Sequence, residues 1–318
     1  MNEKIISFLK KADGYFSGEQ ISKALRISRT AVWKHIKQLK QEGYNIEAVS
    51  RRGYRLISAP DKLLPSEIKN GLQAKIFGQK IVYFDTVGST MDEASVLGFQ
   101  NEMEGTLVCA ESQTKGRGRL GRTWISSKGK GIYFSLILRP VIPVAEAAKL
   151  TLLFAISVCQ AIRKSTGINA MIKWPNDIMV GKKKISGILT ELNAEMDRIN
   201  FVIVGLGVNV NETKSVLLKS ATSIYQEIGK KFSRAVLLKE ILEKSEENYL
   251  LFQKKGFSPI ASQWRSLSDT LGRRVKVDET KKTTEGEAVD IDTDGGLLIR
   301  KDDGVVIKKI SGDVIHLR

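Results

Sequence analysis

Cysteine is nearly absent. Cys109 and Cys159 are the only two in 318 residues, and each sits among apolar neighbours (Leu-Val-Cys-Ala and Ser-Val-Cys-Gln), where a buried, inert thiol is expected. There is no CxxC pair, and the two histidines, His35 and His316, lie far apart. A zinc site, a thiol enzyme and a Ser-His-Asp triad all lack the residues they need, and both histidines read as surface or core fillers. Long apolar runs are also missing. The N-terminal Met-Asn-Glu-Lys-Ile-Ile-Ser-Phe has no signal-peptide core, and the most apolar stretch, 150–159, is about half the ~20 residues of a membrane span. A cytoplasmic location with no membrane partner is expected. Acidic residues are scarce relative to basic ones, 35 against 51, a net charge of +16. That excess points to a polyanion, whether nucleic acid, anionic lipid or a phosphorylated substrate.

The remaining composition, 42% hydrophobic and 27% charged, excludes a collagenous, mucin-like or wholly disordered chain. The length suggests two or three domains with enough core to need no disulfide or metal. Residues 1–60 read as a helix-rich unit. Ile5, Ile6, Phe8 and Leu9 mark a first helix, and Ser17 with Gln20 forms a capping box for a second. Ser28 opens a third helix that closes at Gly43, with Val32, Ile36 and Leu39 as its core stripe. An alternating segment at 44–49, a basic tip Ser50-Arg51-Arg52-Gly53 and Tyr54-Arg55-Leu56-Ile57 make a hairpin. This is the order of a winged helix-turn-helix. Trp33 is expected to pack against the wing.

A linker, Ser58-Ala59-Pro60-Asp61, precedes a mixed region at 64–268. Strands are expected at 81–84, 106–110, 131–138, 170–173, 185–192 and 201–210, and long helices at about 145–165 and 235–253. The irregular alternation favours α+β over a doubly wound sheet. From 269 to 318, short alternating runs split by Asp-Gly turns read as a small β-barrel of about fifty residues.

Chemistry concentrates in three segments. Gln113-Thr114-Lys115-Gly116-Arg117-Gly118-Arg119-Leu120-Gly121-Arg122-Thr123-Trp124 combines glycines, which let backbone approach a ligand, with cations that grip phosphate or carboxylate. A flexible basic surface loop is the bland alternative. Gly116 to Thr123 is one substitution from a P-loop, but the following Trp-Ile-Ser-Ser-Lys-Gly-Lys-Gly is a poor helix former, so that reading is rejected. Lys173-Trp174-Pro175-Asn176-Asp177 stands shortly before Lys182-Lys183-Lys184-Ile185-Ser186-Gly187. Lys184, at the entry of an apolar strand, is placed to meet an anion, although three lysines alone would suit a solvated hairpin tip. Gly205-Leu206-Gly207-Val208-Asn209 starts like a dinucleotide fingerprint but lacks its third glycine and its helix.

Taken together and in this order, these segments resemble the bifunctional biotin–protein ligase and biotin operon repressor family over essentially the whole chain. The resemblance implies an α+β multidomain protein: a winged helix-turn-helix at 1–60, a class II aminoacyl-tRNA synthetase-like catalytic domain at 64–268 and an SH3-like β-barrel at 269–318. It implies an ATP-dependent ligase that forms biotinyl-5′-AMP and moves biotin to a lysine of a biotin carboxyl carrier protein domain, with ATP and biotin as substrates and Mg²⁺. Lys184 and Arg119 would be catalytic. Biotin would be bound by Ser89, Thr90, Met91 (by backbone, where the family often has Asn), Gln113, Arg117, Gly118, Arg119, Lys184, Gly187 and Gly207. The nucleotide would meet Arg119, Arg122, Trp124, Asn176, Lys184 and Asn209, with an adenine lid that differs in detail because Ala221-Thr222-Ser223-Ile224-Tyr225 carries no tryptophan. Asp177 would meet Mg²⁺, unless it and Asn176 only cap a turn.

The N-terminal unit implies operator DNA as a second partner, contacted by Arg29, Thr30 and Lys34 on the third helix and by Arg51 and Arg52 on the wing, with a ligand-promoted homodimer as the binding form. Two other readings stand beside this one: a ligand-sensing transcription factor without turnover, and a lipoate-type ligase. The charge divides accordingly. Residues 1–60 carry +7, 61–268 carry +10 and 269–318 carry −1, and within the central part 115–130 supply +6 and 182–184 another +3.

Overall fold

The first three helices start and stop where their residues dictate. α1 (Asn2–Lys10) turns Ile5, Ile6 and Leu9 inward. α2 (Gly18–Leu25) begins at the capping box, where Ser17 Oγ accepts from Gln20 N at 3.1 Å and Gln20 Oε1 accepts from Ser17 N at 2.7 Å. α3 (Arg29–Glu42) is capped by Ser28 and closed by Gly43 at φ +106°, and it buries Val32, Ile36 and Leu39. β1 (Asn45–Val49) and β2 (Gly53–Ser58) pair antiparallel with Arg51 and Arg52 in the turn between them.

In this computed structural model every residue is described except 12–13, 214, 280–282 and 318, and the chain divides into two units, 1–72 and 73–318. The first unit runs on past residue 60. It includes α4 (Pro65–Lys69), which packs on α1. The cause is polar: Glu67 accepts from the Tyr44 hydroxyl at 2.7 Å and from Lys10 Nζ at 2.7 Å, and Tyr44 also meets Ser66 at 2.7 Å. Burial pushes the Tyr44 phenol well above its ordinary range.

The second unit is organised by a seven-stranded sheet. Along the chain come β3 (Ile81–Phe84), α5 (Thr90–Phe99), β4 (Leu107–Ala110), β5 (Gly131–Leu138), α6 (Ala147–Thr166), β6 (Met171–Lys173), β7 (Asp177–Val180), β8 (Lys183–Glu195) and β9 (Arg198–Asn209), then α7 (Ile224–Ile228), α8 (Arg234–Lys255) and α9 (Ser258–Leu267). The sheet order is β3-β4-β5-β9-β8-β7-β6. β3 and β4, joined through α5, run parallel, and the other neighbours are antiparallel, as an α+β sheet should be. β5 is buried along all eight residues, covered on both faces. On one face α5 packs through Met91 and Ala94 against Val108, Ile137, Phe201 and Ile203.

α6 packs against β8 and α8. The helical stretch Val144–Thr166 is long and apolar enough to cross a membrane, more than the count over 150–159 suggested, but most of it is buried inside this unit. Both cysteines are buried as expected. Burial pushes Cys159 up to about 12 and raises Cys109 as well, which disfavours the thiolate at both.

The last segment folds as β10 (Arg274–Asp278), β11 (Thr283–Ile291), β12 (Leu297–Arg300), β13 (Val306–Lys309) and β14 (Asp313–His316), an antiparallel sheet in the order β13-β12-β11-β10-β14. β14 was not expected from the sequence. Trp174 fixes the region to this segment, its backbone N donating to Thr270 Oγ1 at 3.0 Å and its indole to the Gly295 carbonyl at 3.1 Å.

Candidate active site

Side chains alternate along a strand, so Gly205, Gly207 and Asn209 fall on one face of β9. Gly207 pairs with Gly187 of β8, leaving a floor without side chains next to the N-terminus of α5. A cavity of about 390 Å³ opens there. It is lined by all fifteen ligand-site residues singled out above: Ser89, Thr90, Met91, Gln113, Arg117, Gly118, Arg119, Arg122, Trp124, Asn176, Asp177, Lys184, Gly187, Gly207 and Asn209. Segments separated by more than a hundred residues therefore converge on one space. The lining carries six cations (Arg117, Arg119, Arg122, Lys173, Lys182, Lys184) against two carboxylates, Asp177 and Asp313. Such a surplus offsets the repulsion between two anionic reactants.

The floor is tight. Trp124 lies across it, so a Cβ at Gly207 would stand 2.4 Å from the indole Cε2 and one at Gly187 2.9 Å from Lys184 Nζ. Lys184 reaches over the same indole at 5.4 Å from its centre and pairs with Asp177 at 2.5 Å. Its backbone exchanges hydrogen bonds with Ser220 and Thr222, at 2.8 and 2.9 Å, which tethers the 220–222 segment to the cavity. The Trp124 indole N–H is buried without a partner and is available to an acceptor in the cavity.

The arginine segment is held closed by body residues. Arg117 pairs with Asp92 at 2.9 Å and Glu191 at 3.1 Å. Arg119 donates to Asn176 Oδ1 at 3.1 Å and to the Gly312 carbonyl at 3.2 Å, and Arg122 pairs with Asp313. The last two bonds tie the segment to the C-terminal sheet. Gly116 leaves the passage for the chain: a Cβ there would meet the Trp124 carbonyl at 2.4 Å.

Several expected ligand groups are already engaged. Gln113 Oε1 accepts from Thr90 N at 2.9 Å and Thr90 Oγ1 at 3.1 Å, and its Nε2 donates to Ser126 Oγ at 2.9 Å. Thr90 Oγ1 also meets Ser135 Oγ at 2.9 Å, and Ser89 caps α5 by accepting from Met91 N at 3.3 Å. Met91 turns its side chain into the core beneath α5, where a Cβ on Gly205 would meet its sulfur at 2.6 Å. Asn176 donates to the Ile188 carbonyl at 2.7 Å and Asn209 to that of Thr222 at 3.0 Å, so both brace backbone.

Sequence reading passed over Lys173, although its motif was in view. It lines the cavity, and burial holds its ammonium below the ordinary lysine range against the opposing pull of Asp177. Asp313 and Gly205 also line the cavity, and Asp313 carried no sequence signal because it reaches the site only by folding. His316 is half-buried 3.7 Å from Asp269, and burial lowers its pKa. His35 Nδ1 donates to Asn2 Oδ1 at 2.8 Å. Both histidines stand outside the cavity lining.

In the first unit Arg29, Thr30 and Lys34 lie exposed on α3, and Arg51 and Arg52 are exposed at the wing tip. Trp33 does not pack against the wing as expected: it is 54% exposed. The wing's aromatic partner is Tyr15, with Arg52 at 4.4 Å and Arg55 at 4.9 Å from its ring.

Comparison with known proteins agrees with this division. Residues 2–55 match an HTH domain, 83–209 the biotin/lipoate A/B protein ligase family and 270–317 the biotin protein ligase C-terminal domain. The chain is 45% identical over 98% of its length to the bifunctional ligase/repressor BirA of Bacillus subtilis (strain 168), covering 96% of that protein. It is 30% identical over 99% of its length to BirA of Escherichia coli (strain K12), again covering 96% of the relative. The solved biotin protein ligase of Aquifex aeolicus in complex with biotin and ATP superposes with a TM-score of 0.65 at 33% identity, over 76% of this chain and 99% of that one. The chain belongs to the BirA family of bifunctional biotin ligase/repressors.

Proposed function

We propose that this protein is an ATP-dependent biotin–protein ligase that also represses transcription. The observation that carries the enzymatic part is the convergence of Lys184 and the Arg117–Arg122 segment over the Gly187/Gly207 floor. In the first step a biotin carboxylate oxygen attacks the α-phosphorus of MgATP, forming biotinyl-5′-AMP and releasing pyrophosphate. In the second, a lysine amine of a biotin carboxyl carrier protein domain attacks the acyl carbon. AMP leaves, the nitrogen gives up a proton and an amide forms.

Lys184 is the residue placed at carboxylate and α-phosphate, with Asp177 fixing its ammonium until the anions arrive. Arg119 serves both ligands. Biotin rests on Gly187 and Gly207 with Ser89, Thr90, Met91 and Gln113 at its ring end and Arg117 and Gly118 over it. The bonds Gln113 already makes to Thr90 and Ser126 suit an orienting part as well as a direct contact. Arg122, Trp124, Asn176 and Asn209 attend the nucleotide. Among the described residues no three His, Cys, Asp or Glu side chains gather. Mg²⁺ would come with ATP, in keeping with its habit of taking one or two carboxylates plus substrate phosphates. Asp177 is the carboxylate it would meet.

The fold reading follows the family: a winged helix-turn-helix at 1–60, a class II aminoacyl-tRNA synthetase-like domain at 64–268 and an SH3-like domain at 269–318. On the regulatory side, Arg29, Thr30 and Lys34 enter the major groove while Arg51 and Arg52 hold the backbone of biotin-gene operator DNA. Biotinyl-5′-AMP promotes a homodimer that spans two half-sites, in the cytoplasm. The test is a gel shift with and without biotin and MgATP, in parallel with sedimentation. Ligand-dependent binding and dimerisation are expected, and a shift indifferent to both substrates removes the corepressor mechanism.

A further inference from the structure

The exposed side of α3 carries Arg29, Thr30, Trp33, Lys34, Lys37 and Lys40, with no acid before Glu42. Arg29, Trp33 and Lys37 follow one another at intervals of four, a single line along the helix. A half-exposed indole in the middle of a cationic face has no part in the core, which α3 builds from Val32, Ile36 and Leu39. Nor does it serve the wing, where Arg52 and Arg55 lie over the Tyr15 ring while the Tyr15 hydroxyl donates to Glu47 at 2.5 Å. Lys37 Nζ stands 5.6 Å from the centre of the Trp33 ring, within cation–π range. The face is therefore a cationic strip with one exposed apolar plate at its centre.

The charge fits a phosphate backbone, and the plate fits the one apolar group that a duplex displays in its major groove, the 5-methyl of thymine. We infer that Trp33 is a base-reading residue that packs its indole against a thymine methyl, while the surrounding cations hold phosphates. This rests on the DNA-binding reading above and deepens it. Arg29 and Lys34 fix register on the duplex, and Trp33 selects thymine at one position in each half-site. An acidic protein surface would satisfy the same charges but offers no methyl code.

The experiment uses the full-length protein with biotin and MgATP. Duplexes are enriched from a randomised pool by the wild type, and each thymine of the enriched sequence is then replaced in turn by uracil, which deletes only the methyl. At one thymine per half-site the wild type should lose about fourfold in affinity, the worth of one buried methyl group. Trp33→Ala should bind the thymine duplex more weakly and be indifferent to that replacement, while Trp33→Phe keeps the discrimination. Carrier biotinylation should be unchanged in both variants, because Trp33 is exposed on the surface of the first unit. Unchanged affinity of Trp33→Ala, or losses from Ala and uracil that simply add, would overturn the inference while leaving DNA binding intact. Enrichment of no duplex by the wild type would overturn the DNA-binding reading itself, and the inference with it.

Discussion

Gly207→Ala is the most discriminating single change. The added methyl would lie 2.4 Å from Cε2, 2.5 Å from Nε1 and 2.8 Å from Cζ2 of Trp124, whereas carbon atoms in contact sit at about 3.5–4.0 Å. The indole must retreat by about 1 Å. It cannot do so freely, because Trp124 N donates to the Gly116 carbonyl at 2.9 Å and Gly116 is itself tight against the Trp124 carbonyl. The strain therefore passes into the segment that carries Arg117 and Arg119. A displacement of about 1 Å at reacting groups costs on the order of 100-fold in rate, and overpacking costs roughly 1–3 kcal/mol of stability. Gly205→Ala is the control. Two residues back on the same strand face, its methyl would crowd the Met91 side chain, at 2.6 Å from sulfur and 2.8 Å from Cγ, and would stand in ordinary contact with the Leu189 carbonyl at 3.5 Å; a thioether yields more easily than an indole. Pyrophosphate exchange dependent on biotin measures adenylate formation, and thermal melting separates folding from catalysis. The expected result is a large loss of exchange in Gly207→Ala and a small one in Gly205→Ala. Equal rates in the two variants would refute the reading of the floor.

Lys184→Ala should slow adenylate formation by about 10²–10³, because it removes a fixed cation and leaves Asp177 facing two anionic reactants; single-turnover adenylation checks it. Near-normal rates would refute the assignment. Glu111→Gln should destabilise the protein by roughly 3–5 kcal/mol, since Arg234 pairs with Glu111 at 2.8 Å where both are buried, and denaturant titration measures the loss. Lys173→Met should melt higher than the wild type at neutral pH while using ATP less well. Burial lowers the Lys173 pKa in the folded state, so the unfolded chain binds its proton more tightly and the penalty persists below the folded value. It fades as pH rises from there toward the ordinary lysine value of about 10.4, so the melting difference between variant and wild type should shrink across that alkaline window.

The sequence made legible what local chemistry determines. The Ser17/Gln20 box, the Ser28 and Gly43 caps and β3 and β5 stand where patterning puts them, because each depends on neighbours in the chain. α5 was missed because it buries Thr90, Met91, Ala94 and Gly98 while exposing Val96 and Phe99, which hides its inner face from a search for apolar periodicity. Gly98 is small because the Phe201 ring would stand 2.8 Å from a Cβ there. Trp33 was misplaced for the opposite reason: an indole is expected to seek cover, and only the Tyr15 stack shows that the wing is already served. In the candidate site the residue types were readable, but their engagements were not. The tie of Arg122 to Asp313 spans most of the second unit, and no spacing rule brings those two together.

Biotin transfer through an adenylate can be read from the mass of a carrier domain after incubation with the protein, MgATP and an equimolar mixture of biotin and lipoate. One biotinyl group on a single lysine, no lipoyl group, and AMP and pyrophosphate in equal amounts are expected. An unmodified carrier, or one bearing lipoate, would contradict it.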